Sequence, residues 1–471
     1  MADLNPQQLF ARLAAEGAVI AALAADSRRC GPGVAFFAYP GENSDGRTHI
    51  ADAVARGAAA VLWEKSGFAW RDEWRVPNAA VSDLKQRSGE LAAQFYGRPS
   101  ERLWMCGVTG TNGKTSCSHW VATALARQGA KAGVIGTLGA GFPGSLARLA
   151  NTTPDAIEIQ RLLKDLRGQG AEATAMEVSS HGLDQGRLNG VAFDCALFTN
   201  LSHDHLDYHG TMQAYGEAKA KLFESDGLEA AVLNLDDAMG LRLAGRARER
   251  GVRAIGYGFA DSPAAPVDEY LPAGRLAKEH TRQVGRFNIL NALGVLGCLL
   301  AYGLDWKRAM ALIADLPAVP GRMQRVADAP LVVVDYAHTP DALEKVLTAL
   351  RPLAQERGGK LAIVFGAGGD RDATKRPLMG AVAEKLADRV LVTSDNPRGE
   401  DPLKIIAQIG LARSEPDRAL AIENAVLEAE ARDVILIAGK GHENYQEIAG
   451  KRLPFSDAEV AAAAVAKRGK R

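Results

Sequence analysis

The feature that most constrains the fold of this sequence is a recurring order of short apolar run, polar loop and helical stretch. The clearest apolar runs are residues 103–108, 173–176, 195–198, 231–233, 331–334, 361–365, 390–392 and 434–437. Nearly continuous apolar strands that alternate with helices are typical of parallel sheets covered by helices on both faces. The pattern therefore predicts an α/β fold.

Polar sequences follow most of these apolar runs. They occupy residues 109–115, 177–181, 199–207, 335–339, 366–371, 394–398 and 439–443. In open parallel sheets, ligands bind beyond the carboxyl ends of the strands. Loops with only a structural role would be expected to have less distinctive sequences. The position of these polar segments after the strands therefore predicts a catalytic site built from them.

One of these segments is a glycine-rich loop, TGTNGKT at residues 109–115, that opens a helix. The backbone N–H groups of such a loop surround a polyphosphate, and the helix adds the positive end of its dipole. Lys114 would neutralise the β- and γ-phosphates, and the Thr115 hydroxyl would ligate Mg²⁺. The loop is a variant of the usual pattern, because Val108 stands where that pattern has glycine. The alternative is a structural turn with an exposed lysine.

Two clusters of turn residues divide the 471-residue chain, at residues 96–100 and 316–321. Division there predicts three domains, at residues 1–98, 99–318 and 319–471. We expect a phosphate-loop ATPase-type parallel sheet in the central domain and a Rossmann-like fold in the C-terminal domain.

Charge and composition argue against several classes of protein. Lysine plus arginine and aspartate plus glutamate both total 56, so the net charge of zero argues against a general affinity for nucleic acid. The five cysteines lack CxxC spacing, which favours a reducing compartment over a disulfide framework or a zinc knuckle. The N-terminus has no apolar run typical of a secretory signal, and residues 289–304 predict a buried helix rather than a membrane span. We therefore expect a cytoplasmic protein.

Residues 176–181 and 202–209 combine carboxylates with histidines and are candidate metal-binding segments. The histidines suggest zinc, but no cysteine lies nearby, and beside a phosphate loop Mg²⁺ with oxygen ligands is favoured. The alternative is that these residues cap helices and form hydrogen bonds in the core. For Lys219, spacing alone predicts a solvated helix with a Glu217–Lys221 ion pair.

Taken together, these segments resemble the Mur ligase family, the ATP-dependent amino-acid ligases of peptidoglycan synthesis. The motifs TGTNGKT, NTTP, MEVSSHGL, DHLDYHG, EAK, GRFN, PGRM, DYAHTP, GDRD, KRP, DNPR and GKGHE occur in the family's order along essentially the whole chain. Within the family, the chain is most similar to members that add meso-diaminopimelate to UDP-N-acetylmuramoyl-L-alanyl-D-glutamate.

The resemblance implies a ligase that forms a peptide bond through an acyl phosphate and converts ATP to ADP. Its small-molecule partners would be ATP, meso-diaminopimelate and the UDP-muramoyl dipeptide, with two Mg²⁺ ions. Lys219 matches a lysine that CO₂ converts to a carbamate, which reverses the interpretation from spacing, because a carbamate is an anion that can lie beside Mg²⁺. A monomer is expected, with no nucleic-acid partner and no membrane span.

The resemblance also assigns roles to individual residues. Catalytic roles fall to Lys114, Glu177, His205 and Lys219, and the metal ligands would be Thr115, Glu177, His205 and carbamylated Lys219. ATP would bind Thr109, Gly110, Thr111, Asn112, Gly113, Lys114, Thr115, Asn291, Arg322 and Asp335. The UDP-muramoyl dipeptide would bind Ser27, Glu42, Asn43, Ser44, Asn151, Thr152, Thr153, Ser179, Gln185, Arg187 and Lys219. Diaminopimelate would bind Arg376, Asp395, Asn396, Pro397, Arg398, Gly439 and Glu443.

Arg398 is expected to select the amino acid. Diaminopimelate is lysine with an extra carboxylate at its far end, which a guanidinium can hold through two parallel N–H bonds. The ammonium of lysine would be repelled, and a buried guanidinium left unpaired costs about 3–5 kcal/mol. The acyl phosphate must also be shielded from water, which favours domain closure about a hinge at residues 317–321.

Several alternatives remain open at this point. A lysine-adding Mur ligase or a folylpolyglutamate synthase-like ligase would share the architecture, but DNPR and the N-terminal uridine-binding segment count against both. A phosphate-loop kinase or ATPase would give DNPR and GKGHE no role, and a non-catalytic nucleotide-binding module would not need Lys114, Glu177 and Lys219. Residues 366–369 resemble a dinucleotide-binding turn only weakly, because its third glycine would fall on Arg371.

Overall fold

The computed structural model describes residues 4–42, 44–260, 263–275 and 286–469. They form three α/β units in series, and one main sheet lies within each of the three segments predicted from the turn clusters. Asn43, expected at the uridine end of the substrate, lies outside the described residues.

The N-terminal unit contains a four-stranded parallel sheet in the order β1-β2-β3-β4. Its elements are α1 (Pro6–Ala15), β1 (Ala22–Ala24), β2 (Val34–Ala38), α2 (Ile50–Ala55), β3 (Ala60–Glu64), β4 (Asn78–Val81) and α3 (Leu84–Phe95). Helix α1 begins where it does because the Asn5 side chain accepts from the Gln8 N–H and the Gln8 side chain accepts from the Asn5 N–H. Leu13, Phe37 and Leu62 are buried in the core between the sheet and the helices.

The central unit contains a nine-stranded sheet in the order β13-β12-β11-β10-β5-β9-β6-β7-β8. Its strands are β5 (Trp104–Thr109), β6 (Ala132–Gly136), β7 (Gly139–Phe142), β8 (Ser145–Ala147), β9 (Ala173–Glu177), β10 (Cys195–Phe198), β11 (Ala230–Asn234), β12 (Arg253–Gly258) and β13 (Glu269–Pro272). Pairing is parallel from β13 to β6, and only β7 and β8 pair in the antiparallel sense. The predicted parallel sheet is confirmed, with the phosphate loop leaving its central strand β5.

Helices cover both faces of this sheet. The helices of the unit are α4 (Lys114–Gln128), α5 (Ala156–Gly168), α6 (Ser180–Asp184), α7 (Leu206–His209), α8 (Met212–Ala220), α9 (Ala238–Glu249), α10 (Arg286–Ala301) and α11 (Trp306–Ala314). Trp120 of α4 and Leu296 of α10 pack on one face, and Leu163 of α5 and Leu243 of α9 pack on the other. The two buried layers hold the carboxyl ends of the strands in fixed positions.

Helix α10 is the buried helix that the sequence predicted. Gly294 and Gly297 let it lie close to the sheet, because a methyl group at either position would come within 3.0 Å of Leu197 or Val232. Across the described residues, no helix combines the length and the apolar content needed to cross a membrane.

The C-terminal unit contains a five-stranded sheet in the order β14-β15-β18-β16-β17 and a separate hairpin of β19 and β20. Its elements are β14 (Gln324–Asp328), β15 (Leu331–Asp335), α12 (Pro340–Glu356), β16 (Leu361–Phe365), α13 (Lys375–Leu386), β17 (Arg389–Val392), α14 (Pro402–Ile409), α15 (Arg418–Glu428), β18 (Val434–Ala438), β19 (Tyr445–Ile448), β20 (Lys451–Pro454) and α16 (Asp457–Arg468). Strands β15, β18, β16 and β17 are parallel, and β14 is an antiparallel edge. Their carboxyl ends carry the polar segments predicted to bind the amino acid.

Candidate active site

The phosphate loop joins β5 to α4, and two of its glycines have conformations that other residues rarely adopt. Gly113 has a φ of +90° and Gly110 a φ of +144°. A methyl group at Gly110 would lie closer than 3.0 Å to the Thr199 hydroxyl, and one at Gly113 would collide with the Asn291 side chain. Both positions therefore require glycine, as the phosphate-loop prediction implied.

The ammonium groups of half-buried Lys114 and buried Lys219 meet at one carbonyl of this loop. Lys114 Nζ donates to Gly110 O at 2.8 Å and to Thr111 O at 2.9 Å, and Lys219 Nζ donates to Gly110 O at 3.0 Å. Burial lowers the pKa of Lys114 and lowers the pKa of Lys219 well below its ordinary value, because the charged forms lose hydration. Burial therefore shifts the equilibrium of Lys219 toward the neutral amine.

The interpretation of Lys219 from spacing alone is wrong. Its side chain faces the core rather than solvent, and the residue is only 1% exposed. The expected Glu217–Lys221 pair is not formed: Glu217 pairs with Arg246 of α9 at 2.7 Å, and Lys221 pairs with Asp184 at 2.8 Å. Partners from neighbouring helices outcompete the partner one turn away, since an exposed ion pair along a helix contributes little free energy.

Glu177, at the end of β9, is a completely buried carboxylate held by neutral donors. Its Oε2 accepts from the hydroxyls of Thr115 and Thr137, each at 3.0 Å, and its Oε1 accepts from Thr137 N at 2.7 Å. It forms no ion pair with any described residue. A buried carboxylate in this state is costly unless a cation joins it. Thr115 and Glu177, both predicted as metal ligands, are thus in direct contact.

His205 lies in a cluster of rings beside the loop. Its ring stands perpendicular to that of His181, with centroids 4.8 Å apart, and its centroid lies 5.9 Å from that of Tyr215. Burial lowers the pKa of His205 to about 4, although Asp204, with an oxygen 3.5 Å from Nε2, acts in the opposite direction. The imidazole is therefore neutral, which is the form that can ligate a metal.

A narrow pocket between the central and C-terminal units joins the residues predicted to bind ATP. Its lining includes Asn112, Gly113, Asn291, Arg322 and Asp335. Arg322 Nη2 crosses between the units and donates to the Thr115 hydroxyl at 3.0 Å. The Asp335 carboxylate fixes the loops on either side of it by accepting from Met323 N at 2.7 Å and Ala337 N at 2.8 Å.

A wider cleft of about 540 Å³ opens between the same two units. Six of the predicted residues line its central wall, namely Asn151, Thr152, Thr153, Ser179, Arg187 and His205, and five line its C-terminal wall, namely Asp395, Asn396, Arg398, Gly439 and Glu443. The structure therefore brings residues predicted for two different substrates to one cavity.

A second cavity, of about 320 Å³, continues toward the N-terminal unit. Glu42, Ser44, Gln185 and Arg187 line it, and Arg187 lines the larger cleft as well. Ser27 is buried in a short 3₁₀ turn and is not among the described residues that line this cavity. The two cavities thus share Arg187 as a lining residue, and the predicted uridine contacts Glu42 and Ser44 line only the second.

The residues predicted to bind diaminopimelate form a hydrogen-bonded group. Glu443 Oε2 accepts from Asn396 Nδ2 at 2.8 Å and from the buried Lys440 Nζ at 2.6 Å. Arg398 has a φ of +51°, and its Nη1 donates to Gly369 O at 2.7 Å. Its Nε and Nη2 form no hydrogen bond with described residues. Arg398 and the Glu443 carboxylate thus retain polar atoms for a ligand.

Arg376 and Pro397 are not among the described residues that line the cleft. The Arg376 guanidinium is buried and forms a bidentate pair with Glu400, and it also donates to Gly368 O at 3.1 Å. This pair lowers the pKa of Glu400 to about 2. Arg376 therefore supports the Gly368 loop from behind.

Sequence reasoning missed several residues of this site, among them Thr137, Asp204, Lys375 and Lys440. Thr137 follows β6, a strand that the sequence analysis did not predict, while Asp204, Lys375 and Lys440 lie inside the quoted motifs DHLDYHG, KRP and GKGHE. Asp204 and Lys375 line the cleft, and Lys440 lies beneath it. Treating every charged residue of the polar segments at 199–207 and 439–443 as a candidate would have found Asp204 and Lys440.

Three family models match successive parts of the chain. They are described as "Mur ligase family, catalytic domain" at residues 19–96, "Mur ligase middle domain" at residues 108–299 and "Mur ligase, glutamate ligase domain" at residues 321–441. The chain belongs to the Mur ligase family. Each matched segment of this Mur ligase falls within one of its three α/β units, so the predicted three-unit α/β fold is confirmed.

Similar proteins are found along the whole length of this Mur ligase. A Chromobacterium violaceum protein named UDP-N-acetylmuramoyl-L-alanyl-D-glutamate–2,6-diaminopimelate ligase is 50% identical, covering 97% of this chain and 96% of its own. The Pseudomonas aeruginosa protein of that name is also 50% identical, covering 98% of both chains. A solved structure of a protein with that name has a TM-score of 0.66 at 36% identity, covering 96% of this chain and 95% of that one.

Proposed function

We propose that this protein is an ATP-dependent ligase that joins meso-diaminopimelate to UDP-N-acetylmuramoyl-L-alanyl-D-glutamate. The observation that carries the proposal is the single cleft of about 540 Å³ with residues matched to both substrates on its two walls. Thr153 and Ser179 lie on the central wall, and Asn396 and Arg398 lie on the C-terminal wall. Relatives at 50% identity over nearly the whole chain carry the name of this enzyme.

In the proposed reaction, the γ-carboxylate of D-glutamate attacks the γ-phosphate of ATP and forms an acyl phosphate and ADP. Two anions must approach one another in this step, so nearby cations lower its barrier. Lys114 is suited to this role because its ammonium now contacts only carbonyl oxygens of the loop, which phosphate oxygens can replace. The amine of diaminopimelate then displaces phosphate from the acyl carbon.

The residues around Glu177 fit Mg²⁺. Mg²⁺ prefers oxygen ligands, and Glu177 with Thr115 supplies a carboxylate and a hydroxyl that lie 3.0 Å apart. The carboxylate is buried without a described cationic partner, so a bound cation would compensate its charge. Thr115, Glu177, His205 and modified Lys219 would be the ligands of the two Mg²⁺ ions. When bound, Mg²⁺ would polarise phosphate oxygens and offset the charge of the two reacting anions.

Lys219 fits the proposed carbamate. Addition of CO₂ needs a neutral amine, and burial lowers the pKa of Lys219 well below its ordinary value. Its side chain lies over the Tyr215 ring at 4.2 Å and within hydrogen-bond distance of the phosphate loop, with no acidic partner among the described residues. A carbamate there would bring a negative charge to the metal side of the loop.

Selection of diaminopimelate is proposed to rest on Arg398 and Glu443. Arg398 is anchored through Nη1 alone, so its remaining N–H groups can hold the distal carboxylate. Glu443 Oε1 has no hydrogen-bond partner among the described residues and can accept from the distal ammonium. Lysine has the ammonium but not the carboxylate, so it would leave the guanidinium unpaired.

The test is phosphate release by the full-length protein with ATP, Mg²⁺ and the UDP-muramoyl dipeptide, comparing meso-diaminopimelate with L-lysine. Because one unpaired charged group costs about 3–5 kcal/mol, kcat/KM for diaminopimelate should exceed that for lysine by at least about 100-fold. Equal use of both amino acids would contradict the assigned selectivity.

An Arg398→Lys variant sharpens this test. It should raise KM for diaminopimelate at least about tenfold, because one ammonium cannot form two parallel bonds, while KM for ATP stays within about threefold. An equal rise of both KM values would count against the role of Arg398. Arg413→Lys is the matched control, since Arg413 is an exposed arginine of the same unit that does not line the cleft.

The same experiments separate the alternative functions. A lysine-adding Mur ligase would prefer L-lysine, and a kinase or ATPase would release phosphate independently of any amino acid. The monomeric state and the cytoplasmic location belong to this proposal, and the elution volume of the purified chain tests the first of them.

A further inference from the structure

The cations that line the cleft differ in how they are held. Arg187 donates to Gln185 Oε1 and Thr153 O, and Arg398 donates to Gly369 O. The ammonium of Lys375, in contrast, forms no hydrogen bond and no ion pair within the described ranges, although it lines the cleft. A half-buried cation in this state is costly unless a ligand anion joins it.

Lys375 also occupies an unfavourable place in its helix. It is the first residue of α13, where the helix dipole is positive, and the first turn contains no acidic residue. Arg376 follows it, but the charge of Arg376 is balanced by Glu400 at 2.8 Å. A lysine at this position interacts unfavourably with the helix dipole and has no ion-pair partner in the described part of the chain to compensate. Functional residues often carry such a local cost in stability.

The charges around Lys375 locate it within the cleft. Burial lowers the pKa of Lys375, while Asp204 on the central wall and Asp372 and Asp395 on the C-terminal wall act against that shift. Asp204 lies on the wall of the phosphate loop and within electrostatic range of Lys114. Asp395 lies in the group of residues matched to the amino acid. Lys375 therefore stands between the phosphate side and the amino-acid side.

We propose that Lys375 is a further catalytic residue whose ammonium contacts the phosphate of the acyl phosphate and stabilises it as it leaves. This inference rests on the proposed function. In the step concerned, the lone pair of the attacking neutral amine forms the C–N bond, and the C–O bond to phosphate breaks. The electron pair of that bond stays on the phosphate oxygen, and the departing phosphate takes up the proton lost by nitrogen. A cation beside the phosphate is most stabilising as this negative charge develops.

The test measures kcat and each KM for Lys375→Met in the full-length protein. Loss of one charge-stabilising group lowers kcat about 100- to 1,000-fold, while KM for ATP, for the UDP-muramoyl dipeptide and for diaminopimelate should each stay within about threefold. Lys385→Met is the matched control, because Lys385 is exposed in the last turn of the same helix. It should keep the activity of the unchanged protein.

Chemical rescue distinguishes catalysis from a structural role. Ethylammonium added to Lys375→Ala should raise kcat at least about tenfold, in proportion to its concentration, and Lys375→Arg should keep about one tenth of the activity or more. A kcat of Lys375→Met within threefold of the unchanged protein would overturn the inference. So would a rise in KM for diaminopimelate at constant kcat, or a loss that neither arginine nor ethylammonium restores.

The two proposals fail in different ways. If the unchanged protein makes no product from diaminopimelate, the proposed function is wrong, and the role of Lys375 falls with it. If the unchanged protein makes product and Lys375→Met makes it equally fast, only the role of Lys375 is wrong.

Discussion

Two charged side chains of the candidate active site are buried with no opposite charge from the described residues beside them. Lysine and glutamate are almost never fully buried unless they are paired. Glu177 is completely buried among hydroxyl and amide donors, and Lys219 is buried against a ring and a carbonyl. Neither arrangement pairs opposite charges, so a bound ligand or metal ion beside each residue would account for its burial.

The carbamate proposal gives a prediction for Lys219. Lys219→Ala should lower kcat at least about 100-fold, because the metal side of the loop loses a negative group. Acetate or formate should restore part of the activity by supplying a carboxylate in the space vacated. The measurement is phosphate release with increasing carboxylate concentration. Lys221→Ala is the control, since Lys221 is an exposed lysine two residues away that pairs with Asp184.

Unchanged activity of Lys219→Ala would contradict the carbamate role. In the unchanged protein, removal of CO₂ should slow turnover, and bicarbonate should restore it. Acidification should weaken the carbamate, since protonation removes the neutral amine. Because burial lowers the pKa of Lys219, this loss should begin at a lower pH than for an exposed lysine.

Single residues were predictable where a motif fixes the chemistry and unpredictable where the partner is distant in sequence. Gly110, Gly113 and Lys114 follow from the phosphate-loop pattern. The environment of Lys219 does not follow from its own helix, because the spacing of Glu217 and Lys221 indicates a solvated face. Only the packing of α8 against the loop shows that the side chain is enclosed.

Among elements, strands of continuous apolar sequence were the most predictable. Residues 195–198 and 361–365 were predicted with the observed bounds of β10 and β16. Strand β6 (Ala132–Gly136) was missed because two of its five residues are glycine, which disfavours strands. The antiparallel β7 and β8 were also missed, since βα alternation gives no signal for an added hairpin.

The order and register of the strands bring three cysteines together, although their spacing in the sequence does not indicate this. Cys106 of β5 lies directly beside Cys195 of β10, and Cys298 of α10 packs against them. Their sulfur atoms lie within 4.8 Å of one another in the apolar core. The sequence separates these residues by dozens of positions, so their proximity depends on the order of the strands.

A buried ion pair between two helix starts supports the proposed amino-acid site from below. Arg418 of α15 pairs with Asp457 of α16 at 2.7 Å and donates to Ser394 O at 3.2 Å and Ala438 O at 2.9 Å. Arg418→Met should destabilise the C-terminal unit by about 3–5 kcal/mol, because Asp457 would remain buried and unpaired. The midpoint of the corresponding urea transition measures this change.

The control for Arg418→Met is Arg413→Met. Arg413 pairs with Glu428 on the exposed side of the same unit, so its loss should cost no more than about 1 kcal/mol. Equal effects of the two substitutions would show that burial of the Arg418 pair does not matter for stability.

At the scale of the whole molecule, the central and C-terminal units meet through a few direct contacts around the phosphate loop. Arg322 contacts Thr115 across the boundary, and Asp341 accepts from Asn112 Nδ2 at 3.0 Å. The predicted hinge at residues 317–321 stays a prediction. A hinge at these residues would lie directly before Arg322, which contacts Thr115. Domain closure would therefore also assemble the ATP site.

Gly321 offers a test of this coupling. Its φ is +67°, and a methyl group there would lie closer than 3.0 Å to the backbone of Gly441 and His442. Gly321→Ala should therefore displace the adjacent Arg322 and raise KM for ATP at least about tenfold. Titration of ATP in the phosphate-release assay measures this change.

Gly358→Ala is the matched control. Gly358 has a similar φ of +63° in the same unit, but nothing lies within 4 Å of the added methyl group. Both substitutions carry the backbone strain of about 1 kcal/mol, and only Gly321→Ala adds a collision. An unchanged KM for ATP in Gly321→Ala would argue against the coupling.

The carbonyl of Gly110 accepts hydrogen bonds from Lys114 and Lys219 together, and this has a consequence for nucleotide affinity. This peptide oxygen already offsets part of the charge of the two ammonium groups, so a bound triphosphate would exchange one set of hydrogen bonds for another. The net gain in binding free energy is the difference between the bonds to the triphosphate and the bonds to the Gly110 carbonyl. Affinity for ATP should therefore be weaker than the number of cations around the loop suggests, which leaves the product ADP free to depart.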